Sequence, residues 1–221
     1  MCTIVIAEKG CIPAWITDLD SYRRWARSDE FPKSGQYSYL DGEIWVDFSM
    51  EQLFTHNGVK VEVTYAIMAL LQELRTGKYV ADRMLLSNVA AELATEPDGL
   101  YFHWSTVESG RLKLIDGADD GCVELEGTPD MVLEVVSRSS VRKDTVVLRD
   151  LYWQAGIPEY WLVDARGQNP EFQILRHTTE GYQAAESTNE GVLSSVFNKS
   201  FRLRQQVDPL GHPEFFLEYS A

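Results

Sequence analysis

The clearest apolar run in the chain is Met131-Val132-Leu133-Glu134-Val135-Val136, bounded by Pro129 and by Ser137-Arg138-Ser139-Ser140. A short run rich in β-branched residues between such boundaries predicts a buried central strand. Side chains alternate along a strand, so Asp130, Val132, Glu134 and Val136 share one face. The spacing then changes: apolar residues at 147, 148, 151, 152 and 155 recur at helical intervals. They predict a helix over 141–155, capped by Ser139 or Ser140. Gly156 suits the left-handed position after a helix, and Pro158 blocks its continuation. Tyr160-Trp161-Leu162-Val163 predicts a second strand ending at Asp164. Strand, helix and strand in this order predict a right-handed βαβ unit.

Elsewhere the pattern is read the same way. Thr17 or Asp18 can cap a short helix through Arg27. Residues 36–48 alternate around Asp41-Gly42, a type I′ hairpin signal, with Glu43 beside the turn. Residues 54–76 predict the longest helix, with Val59, Val63, Ala66, Ile67, Leu70, Leu71 and Leu74 on one face, His56 at its beginning and Gly77 ending it. One or two strands follow over 79–93. Pro97-Asp98-Gly99 is then either a simple turn or an acid fixed at the mouth of a strand over 100–104. The acidic stretch 116–127 predicts a surface loop. Residues 172–175 and 182–184 form a hairpin around Gly181, with further short strands near 192, 201 and 215.

The chain of 221 residues supports one domain: an arm over 1–16, a main body over 17–180 and a β-rich extension of the same domain over 181–221. Hydrophobic residues make up 44%, enough for a proper core. No apolar run is long enough to span a bilayer, and the start lacks a basic leader and a cleavage pattern. Three scattered cysteines without metal spacing fit a reducing cytoplasm. The net charge of −14 argues against non-specific nucleic-acid binding, which needs Lys and Arg to displace counterions. It leaves room for a local basic strip beside an acidic metal site.

Glu134 is the chemical anomaly of the central strand. An unpaired buried carboxylate is costly, so it should face a cation, a metal or several donors; an ion pair inside the fold is the simpler reading. Two carboxylates from adjacent strands could converge on one hard divalent cation, Mg2+ or Mn2+, with room for a phosphate and an attacking water.

Residues 129–164 resemble the Uma-two family, a large bacterial group of putative restriction endonucleases. The resemblance lies in Pro129-Asp130, Glu134-Val135, Ser137, Tyr152, Ala155-Gly156-Ile157 and Glu159-Tyr160-Trp161-Leu162-Val163-Asp164. Asp41 to Ile44, His56 and Pro97-Asp98 also fall where that family has them, so the likeness covers roughly residues 17–180. It implies an α/β (α+β) fold: a mixed central β-sheet flanked by helices, with a restriction-endonuclease-like PD-(D/E)xK core and additional β-hairpins.

In that scheme Asp98 and Glu134 hold the metal and the backbone carbonyl of Val135 completes the site. Asp130 stands four residues from Glu134, about 13 Å along a strand, too far to grip the same ion. The chain departs from the pattern in its lysine. Val136 occupies the E-x-K position, and Leu148 stands four residues after Asp144, where many members carry lysine. Lys143 is the first substitute and Arg149 the second, with Glu43 and His56 as supporting candidates. The implied activity is a cytoplasmic, metal-dependent DNA endonuclease, a homodimer if it cuts both strands. Two alternatives stay open: a binding or regulatory module that lost catalysis, and a metal-dependent hydrolase of a small phosphorylated substrate.

Overall fold

The computed structural model describes residues 5–6, 10–117 and 121–220. Within the expected arm, β1 (Val5–Ile6) pairs antiparallel with β2 (Gly10–Cys11). Helix α1 (Leu19–Ala26) begins at Asp18, whose carboxylate accepts from the Ser21 N–H at 2.8 Å while Ser21 Oγ accepts from the Asp18 N–H. This is a reciprocal capping box. The hairpin β3 (Gln36–Leu40) and β4 (Glu43–Asp47) turns at Asp41 and Gly42, with φ of 50° and 83°. Both positive values are what a type I′ turn requires.

A π-helical turn, Leu53–Asn57, leads into α2 (Gly58–Leu74). Strands β5 (Gly77–Ala81), β6 (Leu85–Asn88), β7 (Leu93–Thr95) and β8 (Gly99–His103) follow, then α3 (Trp104–Glu108). Next come β9 (Leu112–Asp116), β10 (Cys122–Gly127) and β11 (Met131–Val135). A second π turn, Lys143–Val147, opens α4 (Leu148–Gln154), and β12 (Glu159–Asp164) returns parallel to β11. The remaining strands are β13 (Glu171–Thr178), β14 (Gly181–Ala184), β15 (Ser187–Thr188), β16 (Gly191–Ser194), β17 (Lys199–Val207) and β18 (Pro213–Tyr219).

The central sheet runs β14-β13-β12-β11-β8-β5; a second six-stranded sheet runs β4-β3-β7-β6-β10-β9, and a four-stranded sheet runs β15-β16-β17-β18. Strand alternation decides what lies on each face of β11. Met131, Leu133 and Val135 join α2 and Phe201, Phe215 and Leu217 of the C-terminal sheet in one core. Val132 and Val136 join α4 and the second sheet's Leu40, Leu86, Leu93 and Leu125 in another. Burying each such side chain stabilises the fold by about 1.5–3 kcal/mol. Among the described residues no helix is long and apolar enough to cross a membrane.

The structure departs from these expectations at several points. The surface loop over 116–127 is largely strand: Leu112 and Leu125 are buried, β10 pairs with β6 and β9, and residues 118–120 lie outside the described residues. Its buried Glu124 is matched by Arg23 and Arg27 on α1, a pairing about a hundred positions away that local composition cannot reveal. Helix α2 ends at Arg75, which takes the left-handed conformation at φ 53°. Gly77 serves instead in β5, where a Cβ would stand 2.1 Å from the Phe102 carbonyl oxygen. The helix after β11 opens at Ser140, whose carbonyl accepts from the Asp144 N–H at 2.8 Å, and Ser137 in the preceding turn braces it: the Ser140 N–H donates to Ser137 Oγ at 3.1 Å and the Ser137 N–H to Ser140 Oγ at 2.9 Å. The change of sheet near the C-terminus falls after Ala184, since Gly181 starts a strand of the central sheet.

Candidate active site

Register builds the floor of the site. Strand β8 pairs antiparallel with β11, with Leu100 opposite Val132 and Gly99 opposite Leu133. The next step of that ladder sets Asp98 opposite Glu134, and opposed side chains point to the same face. Asp98 stands just before β8 and is tied to β11 by its side chain: the Val135 N–H donates to Asp98 Oδ2 at 2.7 Å. Asp98 and Glu134 are 6% and 2% exposed and both line a cavity of about 540 Å³.

The two π turns and the start of α2 bring His56, Lys143 and Lys60 to the acids. In the first, the Asn57 N–H bonds to the Gln52 carbonyl at 2.9 Å, an i to i+5 step. It directs His56 inward, with Nε2 3.6 Å from Asp98 Oδ2 and Nδ1 3.0 Å from Glu51. Lys60 lies one turn further on α2. Its ammonium sits 2.9 Å from Glu51, 3.2 Å from Asp82 and 3.2 Å from Asp98 Oδ1. The second π turn carries Lys143 and Asp144 into the same cavity, with Lys143 Nζ 3.6 Å from Asp144 Oδ1. Single π turns within helices are a recurrent mark of functional sites.

The charges are not balanced. Glu134 accepts from the Tyr152 hydroxyl at 2.6 Å. Burial pushes its carboxyl well above the usual range, opposed by Lys143 and reinforced by Asp144 and Asp98. Burial likewise lifts Asp144 to about 6, against the pull of Lys143 and a hydrogen bond from Ser140. Asp144 Oδ1 has no hydrogen-bond partner although it is buried. Lys143 and Lys60 shift the other way from what burial alone dictates. Burial works against both ammonium groups, but Glu134, Asp144 and Asp98 hold Lys143 up, and Asp98, Glu51 and Asp82 hold Lys60 up. Three buried acids thus face one buried and one partly buried lysine, and the acids remain under-compensated.

A divalent cation would supply that missing charge. Among the described residues no three His, Cys, Asp or Glu side chains converge as a ready cluster. The donors present still fit a hard cation that keeps several waters: two carboxylates, Asp98 and Glu134, lining one cavity. Asp98 and Glu134 are the side chains that could hold it, with Val135 beside them in the cavity wall.

The other candidates fall elsewhere. Asp130 is buried, but it binds the His103 N–H at 2.7 Å, the Thr106 hydroxyl at 2.6 Å and the Arg111 guanidinium, anchoring β11 to β8 and α3. Glu43 is exposed beside the hairpin turn and Arg149 is an exposed residue donating to the Tyr182 carbonyl at 3.0 Å; neither lines the cavity. Val136 and Leu148 are 2% and 0% exposed in the apolar core between α4 and the sheets. Lysine is therefore present in the cavity through residue 143. Lys60 escaped sequence reading. Its signal was there: a lysine four residues after His56, between the core positions Val59 and Val63.

Residues 19–205 match the family described as "Putative restriction endonuclease" (Uma2). No curated protein matches. Among solved structures, the chain is similar to a putative nuclease belonging to DUF820 from Anabaena variabilis ATCC 29413. The two share 17% identity at a TM-score of 0.60, over 82% of this chain and 90% of that one.

Proposed function

Because the chain belongs to the Uma2 family of putative restriction endonucleases, we propose that its cavity is a metal-dependent site for hydrolysing phosphodiester bonds in DNA. The observation that supports the reading is one cavity lined by Asp98, Glu134 and Lys143, with the Val135 N–H donating to Asp98 Oδ2 at 2.7 Å. Asp98 and Glu134, with the Val135 carbonyl, would hold Mg2+ or Mn2+. When bound, the ion neutralises phosphate charge and lowers the pKa of water. The chain's own groups do the rest. Lys143 offers a buried ammonium to a phosphate oxygen or the attacking water. Lys60 and His56 hold the Asp98 carboxylate in place, with Lys60 Nζ 3.2 Å from Oδ1 and His56 Nε2 3.6 Å from Oδ2. Tyr152 fixes the Glu134 carboxylate by its hydroxyl.

The test is cleavage of a supercoiled plasmid and of a single-stranded DNA circle with Mg2+, Mn2+ or chelator. Glu134→Gln, Asp98→Asn and Lys143→Met should each lower the rate by at least about a hundredfold, the scale of losing one electrostatic stabiliser. Metal-dependent cleavage that survives in both acid variants would assign the chemistry elsewhere. Metal binding by calorimetry, lost in Glu134→Gln but without turnover in wild type, would identify a binding module instead.

A further inference from the structure

We infer that the DNA this site accepts is single-stranded or locally unpaired rather than continuous duplex; this rests on the nuclease reading above. The first argument is access. The acids Asp98, Glu134 and Asp144 are 6%, 2% and 1% exposed, at the bottom of a cavity of about 540 Å³. Duplex DNA is a stiff rod, with a persistence length of about 150 base pairs, and presents its phosphates on a broad convex surface. A single strand can turn one phosphodiester inward.

The second argument is charge. Duplex affinity comes from neutralising several phosphates at once, typically about six to ten. Here Lys60, Lys143 and Arg166 are already engaged by acids of the chain. Arg83 and Arg138 are exposed cavity-lining guanidiniums with no ion pair or hydrogen bond among the described residues. Two free guanidiniums on a chain of net charge −14 can guide one or two phosphates into a pocket; they cannot track a duplex.

The third argument is an aromatic platform at the rim. Phe48 lies between the lining residues Asp47 and Ser49 and is 50% exposed. Its ring is seated rather than loose. It meets Tyr37 edge-on, with centroids 5.9 Å apart, and it occupies the space above Gly35, where a Cβ would stand 2.8 Å from two ring carbons. A fixed, half-open ring beside a cavity that presents the free guanidiniums of Arg83 and Arg138 is an arrangement on which unpaired bases stack. A paired base has its faces covered and gains nothing there. A single-strand substrate also removes the need for a second copy to cut the opposite strand.

The test uses one labelled oligonucleotide, alone or annealed to its complement. In chelator, wild-type protein should bind the single strand at least tenfold more tightly by anisotropy. Phe48→Ala should lose roughly tenfold of single-strand affinity, the scale of one base stacked on an aromatic ring, at an unchanged melting temperature, and Phe48→Trp should restore it. Equal or tighter duplex binding, or no effect of Phe48→Ala, overturns the inference. With Mn2+, duplex cut as fast as single strand overturns it too, while leaving the nuclease reading intact. Absence of metal-dependent cleavage of either form, with single-strand preference and Phe48 dependence retained in binding, removes the catalytic reading and supports the ligand.

Discussion

Replacing Asp144 by Asn should stabilise the metal-free protein, and only above acidic pH. The Asp144 side chain is almost fully buried; Ser140 donates to one oxygen and the other has no hydrogen-bond partner, only Lys143 Nζ at 3.6 Å. Burial lifts its carboxyl from 3.8 to about 6. The sign follows from linkage. An acid whose folded pKa is raised favours folding below its unfolded pKa, and that contribution is lost as pH rises through the folded pKa. Roughly two pKa units at about 1.4 kcal/mol each give about 3 kcal/mol of stability lost between pH 4 and pH 7. Asn cannot ionise, and its carbonyl can keep the Ser140 bond. The new amide hydrogens face Lys143, at a cost that does not change with pH.

The readout is therefore the pH-dependent increment. Urea unfolding in chelator at pH 4 and pH 8 should show the variant gaining about 2–3 kcal/mol on wild type across that range. In a domain of this size that corresponds to roughly 4–12 °C in melting temperature. Glu134 shares the field, so the midpoint of the effect belongs to the pair. A difference that stays flat between the two pH values, or that shrinks as pH rises, would refute the picture of an under-compensated acid cluster.

Lys60→Met should destabilise the metal-free protein by about 3 kcal/mol in urea melts at pH 7, the lower end for a broken buried ion pair. The lower end applies because Glu51 and Asp82 are partly exposed and only Asp98 loses a buried partner. Glu159→Ala removes one acceptor shared by Trp161 Nε1, Ser194 Oγ, Ser195 N and Oγ, and Val196 N. It should cost about 2–4 kcal/mol and raise hydrogen exchange first in β15 to β17, because Glu159 ties that sheet to the central one; a uniform rise across the chain would contradict this.

The parts legible in the sequence are those set by local periodicity or by a fixed short spacing. The β11-helix-β12 unit, the Asp41-Gly42 hairpin and α2 all carry their pattern within a few turns. Strand rise alone set Asp130 apart from Glu134, while Asp98 rested on the family resemblance. What sequence could not supply was long-range pairing. The burial of Glu124 depends on Arg23, and Asp130 looks like a site acid until Arg111 and Thr106 are seen to hold it. Lys60 reads as an ordinary helix-surface charge until three acids from separate segments converge on it. The rim position of Phe48 depends on Gly35, which composition marks only as loop.

The π turns bear on how such chains should be compared. Each holds one residue more than an α-helical turn closing the same hydrogen-bonded loop. The surplus residue falls in each case at the start of a helix that feeds the cavity. A relative without it would carry its lysine at a shifted count while presenting the ammonium to the same acids. Fixed spacings would score such a pair as mismatched just where their chemistry coincides. In this chain the gap belongs within 53–57 or 143–147, and Lys143 is matched by superposition rather than by counting from Asp144.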